Sequence, residues 1–110
     1  MSDELGAVFG ALADPTRRAI VEALLRDGVT SVPVLTDAFP ITRQALAKHL
    51  ATLGDAGLVE RAGGGAGREV RYRLRPGALH PTASWLAAAE SAWDDRLGRL
   101  KRSLEDTPAG

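Results

Sequence analysis

A mainly α fold with one small β-hairpin and a long C-terminal helix is predicted for this 110-residue chain by three observations. Apolar residues recur at helical spacing in five stretches, several opened by a capping residue or closed by glycine. One octet, REVRYRLR, instead alternates apolar and basic residues, as a half-buried strand does. From residue 81 onward an apolar seam runs far past the mean helix length of about 11–12 residues. Aromatics make up only 5 % of the chain, so Leu, Ala and Val must fill the core. The length suits a single domain, expected over residues 1–106, with 107–110 a disordered tail.

Residues 3–13 form the first expected helix, with Leu5, Val8, Phe9 and Leu12 on one face. Asp14 and Pro15 then supply an N-cap and a proline at the first helical position. The second helix runs to about Asp27 on a buried face of Ala19, Ile20, Ala23 and Leu24, and Gly28 stops it. Its Arg17, Arg18 and Arg26 project into solvent; a phosphate contact by Arg17 or Arg18 is the alternative. Ser31 caps a short third helix, residues 32–38, with Val34, Leu35 and Ala38 inward. Phe39, Pro40 and Ile41 make a tight turn, because a residue before proline is pushed out of the α region.

Thr42 caps the next helix, residues 42–56, and Gly57 occupies the left-handed position that ends it. Leu46, Leu50 and Leu53 form its apolar stripe. Opposite them, Arg43, Gln44, Ala47, Lys48 and Ala51 place two cations, an amide and two small side chains on one face. Small residues permit close approach to another surface, and Arg and Gln can each bond a base edge through two hydrogen bonds. His49 has two readings, a phosphate contact or packing beside the second helix.

A short strand, residues 58–62, a glycine-rich tip and the strand 68–75 complete a wing over 58–75, with Arg68 at the tip. Along its second strand Val70, Tyr72 and Leu74 share one face, and Arg71, Arg73 and Arg75 the other. Tyr72 is expected in the core. Helix, tight turn, exposed polar helix and hairpin together make a winged helix-turn-helix.

The formal net charge of zero is unevenly distributed. Residues 40–75 carry seven cations against Asp55, Glu60 and Glu69, a balance of +4 that the remainder cancels. Such asymmetry is the electrostatic footprint of a small DNA-binding unit. In the final helix, residues 81–106, Leu86, Trp93, Leu97, Leu100 and Leu104 follow at intervals of seven, four, three and four. That coiled-coil-like seam is more than one such domain can cover. Pairing with a second copy, helped by the helix at 3–13, is its expected use, with Leu5, Phe9 and Trp85 in the same interface.

Several classes are excluded or disfavoured. The chain has no cysteine, which rules out disulfides and thiol chemistry. Two histidines, no phosphate-cradling loop and no evident paired acids leave catalysis without machinery, so no enzyme activity, catalytic residue or cofactor is expected. No apolar run could span a bilayer, and the opening stretch Met1-Ser-Asp-Glu is acidic, through Asp3 and Glu4, where a secretion leader is basic. A cytoplasmic protein without membrane partners is expected.

In the blocks LADPTRRAIVEALL, ITRQALAKHLATLGDAGLVERA and GREVRYRL, the chain resembles the ArsR/SmtB family of winged-helix repressors, over most of its length from Leu12 to Leu104. The resemblance implies a homodimer that binds an operator in double-stranded DNA and leaves it on a signal. It assigns base and phosphate contacts to Thr42, Arg43, Gln44, Ala47, Lys48 and His49, with Arg68 in the wing; Arg71 is the further wing cation expected to join them. The family's metal-binding thiolates fall here on Ser31 and Pro33, either side of Val32, and its alternative site of Asp, His and Glu is unmatched. His80 with Glu90, Asp94 and Asp95 is all the final region offers, so no metal site is expected. Trp85 and Trp93 ahead of Arg96 and Leu97 look like the subgroup that senses something other than metal, and no effector is named by the sequence. The leading expectation is therefore a sequence-specific repressor acting as a homodimer on an inverted-repeat operator. The alternative is a winged-helix protein-interaction module that never binds DNA.

Overall fold

The computed structural model describes residues 3–63 and 69–106. Its elements are α1 (Asp3–Ala13), α2 (Pro15–Asp27), β1 (Thr30–Ser31), α3 (Val32–Ala38), α4 (Arg43–Asp55), β2 (Val59–Arg61), β3 (Arg71–Leu74) and α5 (His80–Glu105). The chain divides into two compact units, one up to Leu79 and one from His80.

In the first unit the helix boundaries follow their capping chemistry. The Asp14 carboxylate accepts the Arg17 N–H at 2.9 Å, Pro15 opens α2, and Gly28 at φ 78° ends it. Ser31 Oγ accepts the Val34 N–H at 3.3 Å to start α3, and Thr42 Oγ1 accepts the Ala45 N–H at 3.0 Å to start α4. Where α4 ends, the Leu58 N–H donates to the Leu53 carbonyl and the Gly57 N–H to that of Gly54, both at 2.9 Å. This is a Schellman closure, and it needs the φ of 77° that Gly57 adopts. Leu53 and Leu58, on either side of it, are fully buried, so the closure also locks the helix to the start of the wing.

The core gathers Val8 and Ala11 of α1, Ile20, Val21, Ala23 and Leu24 of α2, Leu35 of α3, Leu46, Leu50 and Leu53 of α4, and Leu58 and Val59. One inward expectation fails in α3. Val34 is 55 % exposed and Ala38 is also exposed, while Leu35 is buried with Val32 and Phe39 packed beside the core. A helix of two turns has room for one inward row, and Leu35 holds it.

The sheet has three antiparallel strands in the order β1-β3-β2 rather than a lone hairpin. Thr30 and Ser31 pair with Tyr72 and Arg71, giving β3 a second neighbour. On the other side Val59, Glu60 and Arg61 pair with Leu74, Arg73 and Tyr72. Directly paired residues share a face of a sheet. Val59, Arg61, Tyr72 and Leu74 therefore lie on the core side, and Glu60, Arg71 and Arg73 on the outer side.

The second unit is α5, whose 26 residues would span about 39 Å. It opens at His80, one residue before the expected Pro81. Beyond Thr82, every described residue except half-buried Gly98 is exposed. Its apolar row stands open, with Trp93 58 %, Leu97 43 %, Leu100 56 % and Leu104 69 % exposed.

Candidate nucleic-acid interface

The three buried leucines of α4 fix its orientation, and everything opposite them is turned out. Thr42, Arg43, Gln44, Ala47 and Lys48 are all exposed. Arg43, Gln44 and Lys48 make no side-chain hydrogen bond or ion pair with any described residue, so their donors remain available to a partner. Thr42 differs, because its hydroxyl already accepts the Ala45 N–H. A hydroxyl can still donate outward while capping.

His49 is half-buried. It lies close enough to Asp14 for its charge to help hold the Asp14 carboxyl below the ordinary range; the larger cause is the Arg17 N–H that the carboxylate accepts.

Arg68 lies outside the described residues. Arg71 is half-buried on the outer face of β3, lining a recess with Asp27, Val29, Thr30, Ser31, Val34 and Glu69, and does not join the α4 residues. The strand cation that does share a surface with α4 is Arg61, on the core-side row but past the end of the core; with Arg43, Ala47 and Ala51 it lines one groove. Sequence reasoning missed Arg61, since its face depends on a register hidden behind the glycine-rich tip.

Two further arginines are tied down. Arg73 donates through Nε and Nη2 to Glu60 Oε2 at 2.9 and 2.8 Å, across directly paired strand positions. Arg17 donates from Nε to the Ala11 carbonyl at 2.8 Å and from Nη2 to that of Gly10 at 3.2 Å. It thus caps the last turn of α1, where the carbonyls lack helical partners and a cation is favoured. The expected solvent-facing or phosphate-reaching role of Arg17 is replaced by this one. Ser31 and Pro33, at the position of the family's thiolates, cap and open α3. No group of three or more metal-ligating side chains converges among the described residues.

A two-helix motif presenting a free polar helix, backed by a small sheet, defines a winged helix-turn-helix unit. Residues 12–62 match a helix-turn-helix domain family. An ArsR-like transcriptional regulator from Rhodococcus sp. RHA1 superposes with a TM-score of 0.77 at 41 % identity, over 94 % of this chain and 95 % of that one. The HTH-type transcriptional regulator YuzN of Bacillus subtilis is 39 % identical over 80 residues, 67 % of this chain and 82 % of that protein. Mb0332 from Mycobacterium bovis, a homodimeric winged helix-turn-helix DNA-binding domain described as a possible ArsR-family regulator, has a TM-score of 0.60 at 26 % identity, over 86 % of this chain and 82 % of that one. The chain belongs to the ArsR/SmtB family of winged helix-turn-helix transcriptional regulators, and is a DNA-binding regulator of that kind.

Proposed function

We propose that the protein is a sequence-specific repressor that acts as a homodimer on an inverted-repeat operator. The observation that carries this reading is the outward face of α4, where Arg43, Gln44 and Lys48 stand exposed around Ala47, their side chains unpaired among the described residues. Gln44 and Arg43 read base edges, while Lys48, Arg61 and Arg68 meet phosphates. Ala47 leaves the space that close approach to a groove requires. Thr42 contributes its hydroxyl proton, and His49 and Arg71 take lesser or no part.

The second subunit is supplied by α5. Six large apolar side chains along it, from Trp85 to Leu104, are between 43 % and 69 % exposed, an area that favours burial against a copy of itself. Phe9, 37 % exposed, extends the same proposal to α1, whereas Leu5 at 7 % has little surface left to contribute. The homodimeric state of the Mycobacterium bovis relative supports this reading. A two-fold pairing would set the two α4 helices about 34–36 Å apart, one turn of DNA. With helix-capping residues at the thiolate positions, the signal that lifts repression is other than a thiolate-bound metal.

Selection of bound sequences from random duplex DNA tests the reading. It should return an inverted repeat with half-sites about one turn apart. Recovery of no common sequence, or of a single unrepeated half-site, would overturn it.

A further inference from the structure

Between α4 and the wing lies a groove of about 780 Å³, within the 300–1,000 Å³ range of small-molecule sites. Its apolar walls include Val32 of α3, Leu50 and Ala51 of α4, and Val70 and Tyr72 of the wing. The charged side chains lining it are Arg43, Arg61 and Glu69, two cations against one carboxylate. Neither guanidinium has a hydrogen bond or ion pair to any described residue, in contrast to Arg73 and Arg17 elsewhere in the same unit. The Tyr72 hydroxyl likewise has no partner among the described residues.

A DNA phosphate would use the arginines but gain nothing from Val32, Val70 or the ring of Tyr72. Their apolar surface is stabilised only by an apolar body. A neutral hydrocarbon would use those walls but leave two guanidinium groups unmatched beside it. The combination fits a ligand with both features. We infer that this groove binds an organic monoanion with a flat apolar body, of the aromatic carboxylate class, its carboxylate on Arg43 and Arg61 and its rings against Val32, Val70 and Tyr72. Resting on the DNA reading proposed above, occupancy takes Arg43 away from the bases. Ligand and operator then compete for one side chain, and the ligand lifts repression.

Calorimetric titration of 2-naphthoate into the DNA-free protein tests the site. One naphthoate per chain should bind, with 2-naphthamide and inorganic phosphate each at least about tenfold weaker, since each lacks one half of the match. Arg61→Gln should weaken naphthoate about tenfold or more by removing a charged partner. Ala51→Trp, at an exposed helix position, should do the same by filling the groove; thermal melts establish that both variants are folded. No binding by the wild type, binding untouched by both variants, or phosphate binding equal to naphthoate would overturn the assignment. A second measurement follows a fluorescent operator duplex, which naphthoate should release in step with groove occupancy. Naphthoate binding with the expected variant pattern in a protein that binds no duplex would support the groove and refute the DNA reading. Duplex binding without naphthoate binding would refute the groove alone.

Discussion

Replacing single cations and measuring how DNA affinity changes with salt separates the cations available to DNA from those that are not. Four per subunit, Arg43, Lys48, Arg61 and Arg68, are assigned here to bases or phosphates. Counted together, a dimer would bring about eight cations onto the duplex, each displacing a counterion whether it meets a base or a phosphate, and each contributes about 0.9 to the slope of log affinity against log salt. The wild-type slope should then be about −7, a loss of about 10⁴ in affinity between roughly 50 and 200 mM salt. Lys48→Gln removes one cation from each subunit and should flatten the slope by about 2. Arg73→Gln should leave it unchanged, because Arg73 lies on the outer face of β3 with Nε and Nη2 held by Glu60 at 2.9 and 2.8 Å. That pair is partly exposed, 48 % and 34 % at its two side chains, so its loss should cost at most about 1 kcal/mol of stability. Fluorescence anisotropy on one duplex across a salt series gives all three slopes. Equal slopes for Lys48→Gln and Arg73→Gln would refute the division of the wing into an α4 side and an outer side.

Four other outcomes follow from the same structure. Gln44→Ala should cost about 1–3 kcal/mol on the best operator and little on random duplex; equal losses on both would show that Gln44 reads no base. Arg17→Met should lower stability by about 1 kcal/mol while leaving the salt slope alone, and a flattened slope would return Arg17 to the phosphates. Accepting the Arg17 N–H holds the Asp14 carboxyl below its usual 3.8, so its charged form stabilises the fold at neutral pH and that contribution fades as pH falls from there through the folded value. Asp14→Asn keeps a capping side chain without the charge, so any melting-temperature advantage of the wild type should shrink below about pH 4, and an advantage growing toward low pH would reverse the sign of the argument. Leu97→Glu, at a position 43 % exposed on α5, should yield a monomer that binds one half-site weakly; a normal dimer by sedimentation would place the subunit contact elsewhere.

What the sequence made legible was local. Asp14, Ser31, Thr42 and Gly57 mark helix ends by chemistry confined to a few neighbouring residues, and all four do so in the structure. The leucine spacing of α4 likewise identified its buried and free faces. Nonlocal features stayed hidden. β1 is two residues long, too short for any alternation to register, and exists because Thr30 and Ser31 find Tyr72 and Arg71 about forty positions later. The Arg73 pairing with Glu60 and the position of Arg61 depend on the register of β2 with β3, which pairs residues more than ten positions apart. Arg17 reads as a surface cation until α1 is seen to end against it, offering two carbonyls.

These hidden contacts change how charge should be counted in a chain whose formal balance is zero. Seven cations between residues 40 and 75 make the region look uniformly basic. Folding sorts them by their neighbours. Glu60 engages Arg73 and the outer face takes Arg71, while Arg43, Lys48 and Arg61, on the α4 side, have side-chain donors unpaired among the described residues. A strand alternates its faces, so Arg71 and Arg73, two positions apart, share the outer face of β3 and lie off the α4 side, whatever their charge. The cation that complements α4 comes from β2, where Arg61 shares its face with Tyr72. Arg43 and Arg61, both exposed, therefore line one groove with apolar walls. On the two readings proposed above, one small surface would bind a polyanion in one state and a compact organic anion in another, with neither able to occupy Arg43 while the other holds it.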